Sequence, residues 1–368
     1  MITLLHTADL HLGMGFPGLG ERGHDHREQL KRTFARIVDL ALAERVDLML
    51  IAGDLFDSHH QSEGTLTFVR DQFLRLQHGG IRVALLAGNH DPLGEGSVWT
   101  RARFEASCPN VTLFGPEPQP VVYRDLDLTV IGQSVGPEGP QPLGAWPRKR
   151  SARFAVGLAH GSSYRAGVVE TGTIHPADIK SLGLDYLALG DWHSAQAVSG
   201  PPTPAWYAGA PEFLQMDQEG GQVILVRIPE PGQAQVRLER VGRRRYRRLE
   251  VDVSGLDADR VRARVLAEID PDVVLDVVLT GTAAPQMLID ARELEETIQD
   301  GCYRARVRNQ STVWLEEKAL EAFPERTLVG RYIRLMREQA AAATPEEQSV
   351  LQEALQVGVA LLLSAEGG

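Results

Sequence analysis

Five short segments carry side chains that can hold metal ions: Asp9-Leu10-His11, Gly53-Asp54-Leu55-Phe56-Asp57, Gly88-Asn89-His90-Asp91, Ala159-His160-Gly161 and Gly190-Asp191-Trp192-His193. Their donors are carboxylate, imidazole and amide oxygen, with no thiolate among them, a set suited to Mn2+, Fe2+, Zn2+ or Mg2+. The spacing in Asp9-x-His11 predicts an extended segment with both side chains on one side, sharing one ion. Two ions ~3.5–4 Å apart repel strongly unless a carboxylate bridges them. Asp54, directly after an apolar run and a glycine, is the natural bridge. A single Asp-x-His or Gly-Asp would read as surface decoration or a turn. Gly-Asn-His-Asp is harder to dismiss, because such residues after a clean strand serve packing poorly. Five such segments in order, each after an apolar run, form a site.

Strands and crossovers must bring these segments together. Ile2 to His6, Leu48 to Ala52 and Arg82 to Ala87 read as buried strands. Apolar residues at helical spacing (Leu30, Phe34, Ile37, Val38, Ala41) predict a helix from about Glu28 to Arg45, and another runs from about Leu66 to Gln77. Strand, helix, strand, helix, strand implies parallel pairing, so the strands' C-terminal ends share one edge, where ligands bind. After Val111 the chain turns to short strands with Gly/Pro punctuation, and Gly136 to Pro147 reads as a surface loop. The expected fold class is α/β, a sandwich of two mixed sheets flanked by helices, with a smaller α/β accessory domain that would cap the site. Composition turns to arginine at Arg243, which puts the domains at 1–242 and 243–368. The final stretch, Pro345 to Ser364, reads as a helix that either docks a partner or packs on its own domain.

The 368 residues are enough for two domains, at ~150 residues each. Two cysteines, Cys108 and Cys302, build neither a disulfide framework nor a thiolate zinc site. The N-terminal residues do not read as a leader, and the longest apolar run near the C-terminus is far short of the ~20 residues a bilayer needs. A cytoplasmic chain without membrane contact is expected. The formal charge of -11 runs against nucleic-acid binding by the chain alone. Base is concentrated in two clusters, Arg148–Lys149–Arg150–Arg153 and Arg243–Arg244–Arg245–Arg247–Arg248, either solvated loops or a DNA-facing surface. His6 is expected to be structural. His24 and His26 should flank a loop, His59 and His60 should sit in a solvated loop, and Phe56 and Trp192 should be packing residues.

The set DxH, GD, GNHD, H and GxH is similar to the signature of the calcineurin-like metallophosphoesterases. Within that superfamily TADLHLG, AGDLFD, LAGNHD, IGQS, LAHG and DYLALGDWH resemble the SbcD-type double-strand-break repair nucleases, over roughly residues 1 to 240. The resemblance implies that Asp9, His11 and His193 hold the first metal, Asp54 bridges, and Asn89, His160 and Asp191 hold the second. It implies that His90 ligates neither, but steadies the phosphate and protonates the leaving oxygen. Asp57 and Asp91 are expected to brace the ligands from behind. Asp191 departs from the pattern, since histidine is common there, and makes the site harder and more anionic.

The expected activity is therefore phosphodiester hydrolysis by a metal-bridged hydroxide. The resemblance implies a DNA exo- or endonuclease subunit of a repair complex, with two divalent ions, Mn2+ first among Mg2+, Fe2+ and Zn2+. It also implies an SbcC-type ATPase partner and a homodimer. The competing reading is a phosphodiesterase or phosphatase for small nucleotide-linked substrates, which the net charge favours. A non-catalytic scaffold is disfavoured by the intact donors.

Overall fold

The structure, a computed structural model, describes the chain except residues 21, 141, 148–149, 164–173, 217, 284–288, 314, 316 and 367–368, and the side chains of 313, 345, 346, 349, 360 and 364–366. The chain divides into two compact units, Met1–Arg245 and Tyr246–Gly368.

The first unit begins β1 (Ile2–Thr7), α1 (Arg22–Ala43), β2 (Leu48–Ala52), α2 (Glu63–His78), β3 (Arg82–Leu86), α3 (Val98–Ala102), α4 (Phe104–Ser107) and β4 (Val111–Leu113). It continues β5 (Gln119–Tyr123), β6 (Leu128–Gly132), β7 (Phe154–His160), α5 (Pro176–Ser181), β8 (Tyr186–Gly190), β9 (Gln196–Ser199), β10 (Ala205–Tyr207), β11 (Gln222–Ile228) and β12 (Gln235–Arg240). One sheet runs β12-β11-β1-β2-β3-β4 and the other β5-β6-β7-β8-β10-β9. The run β1 to β4 is parallel, as the alternation of strand and helix predicts, and so is the run β6-β7-β8-β10.

The central strands β1, β2, β3, β7 and β8 are mostly apolar because both their faces are covered, whereas the edge strands β5, β9 and β12 carry exposed polar residues. Side chains alternate between them. Leu4, Leu48, Leu50, Ala84 and Leu86 point into the space between the sheets, against Val130, Val156, Leu158 and Ala188. Leu5, Met49, Ile51, Val83 and Leu85 point the other way and meet Phe34, Ile37 and Val38 of α1 and Val69 and Phe73 of α2. Trp146 and Ile179 cover the outer face of the second sheet at Ala155 and Leu187. The result is helix, sheet, sheet, helix.

Several expectations need correction. α1 starts at Arg22, about two turns before the expected Glu28, so His24 and His26 lie on a helix and not beside a loop. The early start rests on tertiary contact, which outweighs the weak helix propensity of Gly23 and Asp25. His26 is buried, its Nε2 lies 2.6 Å from the Phe213 carbonyl, and its ring meets Phe16 edge-on. The arginine clusters are not free solvated loops. Arg148 and Lys149 lie outside the described residues, but Arg150 pairs with Asp185 and Arg153 with Glu230. The backbone N–H groups of Arg243 and Arg244 donate to the buried Glu212 carboxylate, and the Arg244 side chain, 6% exposed, pairs with Asp25. Glu212 also accepts from Thr33, which ties this segment to α1.

The second unit holds β13 (Arg245–Asp252), α6 (Ala258–Leu266), β14 (Val273–Thr280), β15 (Thr282–Ala283), α7 (Ala291–Gln299), β16 (Arg304–Asn309), β17 (Thr312–Val313), α8 (Glu317–Glu321), α9 (Leu328–Ala341) and α10 (Pro345–Glu366). Arg245, Arg247 and Arg248 are therefore strand residues. The sheet β13-β14-β16 packs its apolar face on α6 and α7 through Val261, Val265, Leu294 and Ile298. α10 lies on α9, burying Leu355 and Val359 against Ile333 and Met336. Among the described residues no helix is long and apolar enough to cross a membrane. Cys108 and Cys302 are both buried thiols, not joined in a disulfide.

His6 is structural, as expected: its Nδ1 lies 2.9 Å from the Tyr186 hydroxyl and its Nε2 3.2 Å from the Leu189 carbonyl. Burial holds its pKa down at about 3, with only partial opposition from that carbonyl. An unfolded histidine takes up a proton near ~6.5. The stability due to neutral His6 is thus present above that pH and lost as pH falls towards 3. The melting temperature should fall on acidification through this window more steeply in the wild type than in His6→Gln. Equal slopes would contradict the assignment.

Candidate metal centre

The C-terminal ends of β1, β2, β3, β7 and β8 supply the five segments, so both sheets deliver donors to one place. Contacts between the segments fix this. The Asp191 N–H donates to Asp9 Oδ1 at 3.0 Å, the His90 N–H to Asp54 Oδ1 at 2.9 Å, and the Asp9 N–H to the Gly53 carbonyl. The backbone turns sharply to do so. Asp9, His11, Asp54 and Asp191 all have positive φ, at 53°, 45°, 50° and 103°. The expectation of an extended Asp9-x-His11 is therefore wrong: two left-handed residues, not strand alternation, aim these side chains. Glycines allow the closeness. A Cβ on Gly190 would sit 1.9 Å from the Ala52 carbonyl oxygen, and one on Gly88 would sit 2.1 Å from Asp54 Oδ1.

Asp54 is central. Its Oδ2 lies 3.5 Å from His11 Nε2 and 3.5 Å from His160 Nε2. Asn89 Oδ1 is 2.8 Å from the same His160 nitrogen, and Asp191 Oδ1 is 3.9 Å from it. Ligand atoms of Asp9, His11 and His193 all lie within 4.8 Å of one another, as do those of Asp9, Asp54 and His160, and those of His11, Asp57 and His90.

Three histidines are held in one tautomer. Nδ1 of His160 lies 2.8 Å from the Ala52 carbonyl, Nδ1 of His11 lies 3.2 Å from Asp57 Oδ1, and Nδ1 of His193 lies 2.9 Å from Gln218 Oε1. Each partner is an acceptor, so each Nδ1 carries hydrogen and Nε2 is the nitrogen turned away from that bond; at His160 this Nε2 faces Asn89 Oδ1. Asp57 thus holds the His11 ring from the side away from Asp54. Asp91 braces the backbone: buried, it accepts from the Phe56 and Gly88 N–H groups.

These residues fit a divalent cation on evidence internal to the protein. Asp9 Oδ2 and His11 Nε2 are buried with no hydrogen-bond partner, an arrangement that is costly unless an ion sits between them. Burial raises the pKa of Asp9, opposed by His160 and His193. Burial also works against charge on His11 and His160. For His11 the Asp57 hydrogen bond and the Asp54 and Asp9 carboxylates more than reverse it, and for His160 those of Asp54, Asp9 and Asp191 do so, so both pKa values rise. Burial and the neighbouring Asp54 push Asp91 up to about 7, against the two N–H groups that it accepts.

Asp54, Asn89, His90, Asp191 and His193 line a cavity of about 560 Å³ together with Ser162, Trp192, Ser194, Gln215, Met216 and Gln218. Five of these, Ser194 among them, carried no signal in the sequence. Gln215, Met216 and Gln218 follow β10 in a segment without a motif, and Ser162 is an ordinary loop serine. Trp192 is not the packing residue expected, being 39% exposed at the cavity, whereas Phe56 is fully buried against Trp99 and Phe104. His59 stands off the cavity, its Nδ1 accepting from the Val98 N–H at 3.4 Å.

The family model for calcineurin-like phosphoesterases matches residues 2–226, more than half of the chain. An uncharacterised metallophosphoesterase of Bacillus subtilis, YhaO, is 30% identical over 230 residues, which cover 60% of this chain and 55% of that protein. The DNA double-strand break repair protein Mre11 of Aeropyrum pernix is 30% identical over 269 residues, 69% of this chain and 64% of its own length. An SbcCD nuclease subunit of Rhodobacter capsulatus is 36% identical over 140 residues, 37% of this chain and 28% of that protein. The chain thus spans less than two thirds of the length of each of these relatives.

Two outcomes follow. Because His11 and His160 hold protons to higher pH than free histidine, cation uptake near pH 7 should release protons and weaken as pH falls. Titration calorimetry in buffers of different ionisation heat reads this directly, and buffer-independent heat would contradict it. Gln218→Leu should leave the fold intact and lower metal affinity by ~10–100-fold, the usual cost of losing a hydrogen bond behind a ligating histidine. Unchanged affinity would mean that Gln218 does not orient His193.

Proposed function

The chain belongs to the calcineurin-like phosphoesterase family, and from that premise we propose that it is a two-metal phosphodiesterase acting on DNA as a nuclease subunit. The observation that carries the two-metal reading is Asp54 Oδ2, equidistant at 3.5 Å from His11 Nε2 and His160 Nε2, where a bridging carboxylate belongs. Asp9, His11 and His193 are the ligands on one side; Asn89, His160 and Asp191 are those on the other. Divalent ions bound there supply Lewis-acid polarisation of the phosphoryl oxygens and an activated water.

The chain's own residues do the rest. The cavity is lined by the ligands Asn89, Asp191 and His193 and by His90, Ser194 and Gln215, so a phosphodiester bound in it lies against the centre. His90 is 45% exposed at its side chain, and its Nδ1 lies 3.3 Å from the Asp57 carbonyl. With Nδ1–H held there, Nε2 is the atom that exchanges a proton. As the scissile P–O bond breaks, it donates to the leaving oxygen, a contribution of ~10²–10⁴-fold. The contrary role has a geometric basis, since His11, Asp57 and His90 also form a donor group.

DNA as the substrate is supported by the names of two relatives, a double-strand break repair protein and a nuclease subunit. A partner of the SbcC ATPase type is supported by apolar residues left exposed on α9 and α10, Leu335, Val350 and Val357. Such a partner would also bring the basic surface that a chain of charge -11 lacks. A small phosphodiester is the second reading, favoured by that charge and by the carboxylate partners of Arg150, Arg153 and Arg244.

Manganese-dependent hydrolysis of linear DNA and of a chromogenic phosphodiester, measured beside metal content, separates these readings. Wild type should cut both, and His90→Ala should keep its metals while losing ~10²–10⁴-fold in kcat. Loss of metal in that variant would make His90 a ligand. Cleavage of the small diester alone, with or without an ATPase partner, would move the substrate to the second reading.

A further inference from the structure

The two halves of the centre do not offer the same chemistry. Around Asp9 the donors are two imidazoles, His11 and His193, and one carboxylate, with Asp54 shared. Around His160 they are that single imidazole, the Asn89 amide oxygen and the Asp191 carboxylate, again with Asp54 shared. One position is balanced between nitrogen and oxygen; the other is three parts oxygen.

Asp191 is built into that second position. Its φ of 103° is unfavourable for a residue with a side chain, and such strain persists only where the surroundings impose it. Its N–H is fixed by Asp9 Oδ1 at 3.0 Å. Its Oδ2 accepts from the Ser162 hydroxyl at 2.5 Å, which leaves Oδ1 as the oxygen nearer His160. The residue is therefore held at its backbone N–H and at one carboxylate oxygen, with the other oxygen offered to the cluster.

We propose that Asp191, oriented by Ser162, sets the metal preference of one half of the centre: it makes the Asn89–His160–Asp191 position harder than the Asp9–His11–His193 position, biased towards Mn2+ or Mg2+ where the latter is biased towards Zn2+ or Fe2+. The inference rests on the two-metal reading given above. Imidazole raises affinity for zinc more than for manganese, whereas carboxylate and amide oxygen narrow that gap. Replacing one nitrogen donor by oxygen at one position alone must separate the two positions in their zinc-to-manganese ratio. Asp191 is the residue that sets the separation, and Ser162 fixes which of its oxygens is offered.

The test is a displacement titration on the full chain. Metal-free protein is loaded with Mn2+, dialysed against chelator-buffered zinc at fixed manganese, and the bound metals are counted by mass spectrometry. Two steps are expected: the second manganese should need free zinc on the order of tenfold higher, or more, than the first. Asp191→His, which restores a nitrogen donor, should merge the steps, and Ser162→Ala should narrow them. The electron paramagnetic resonance of the intermediate should be that of an isolated Mn2+. A single step in the wild type, or two steps unmoved in Asp191→His, would overturn the asymmetry while leaving the two-metal reading standing. Binding of fewer than two ions at saturation would overturn both.

Discussion

Three carboxylates, those of Asp9, Asp54 and Asp91, are buried side by side at the rim where the two sheets meet, none more than 1% exposed. An ionised carboxylate out of water is costly unless it is paired, hydrogen-bonded or bound to a cation, and three together compound the cost by mutual repulsion. Backbone N–H groups meet part of that demand at Asp9, Asp54 and Asp91. Protons meet another part, which is why burial and Asp54 push Asp91 up to about 7, and why His11 and His160 are drawn to higher pKa values by their acidic neighbours against their own burial. What remains is Asp9 Oδ2 and His11 Nε2, buried and without hydrogen-bond partners. Divalent cations satisfy all of these at once.

That constraint accounts for much of the local structure. Four of the eight described non-glycine residues with positive φ are Asp9, His11, Asp54 and Asp191, all in this cluster. Strain held at four residues of one cluster is what a pre-organised site requires. The tautomers are fixed in advance by three chemically different acceptors, a backbone carbonyl, a carboxylate and an amide. The β-sandwich beneath is what makes this affordable. Leu48, Leu50, Leu158 and Ala188 are fully buried between the sheets and hold the strand ends in place.

The sequence made the strands and the donors legible for one physical reason. A parallel strand covered on both faces is an unbroken apolar run, and the residue that ends the run is delivered to the ligand edge. Asp54 after Leu48–Ala52 and His160 after Phe154–Ala159 are instances. The backbone's route between donors was not legible. Asp9 and His11 look like alternation, and only tertiary contacts from Gly53 and Asp54 impose the left-handed turns. Gln218 and Ser162 were equally silent, because the single hydrogen bond each makes, to His193 and to Asp191, needs one polar group at one point and imposes no pattern on its neighbours. The arginines from 243 to 248 misled through composition. Three belong to a strand, and the N–H groups of Arg243 and Arg244 serve Glu212, a partner about thirty positions earlier. In the second unit, Asp276 is buried in β14 and held by Arg306, Arg308 and Tyr246, so arginine there too marks internal pairing.

The central claim is that Asp54 bridges two cations, and diffraction from crystals soaked in Mn2+, recorded on the high-energy side of the manganese absorption edge, tests it most directly. The account predicts two anomalous peaks ~3.5–4 Å apart with the Asp54 carboxylate between them, one beside His11 and His193 and the other beside Asn89, His160 and Asp191. A single peak held by His11, Asp57 and His90, or two peaks that share no ligand, would contradict it.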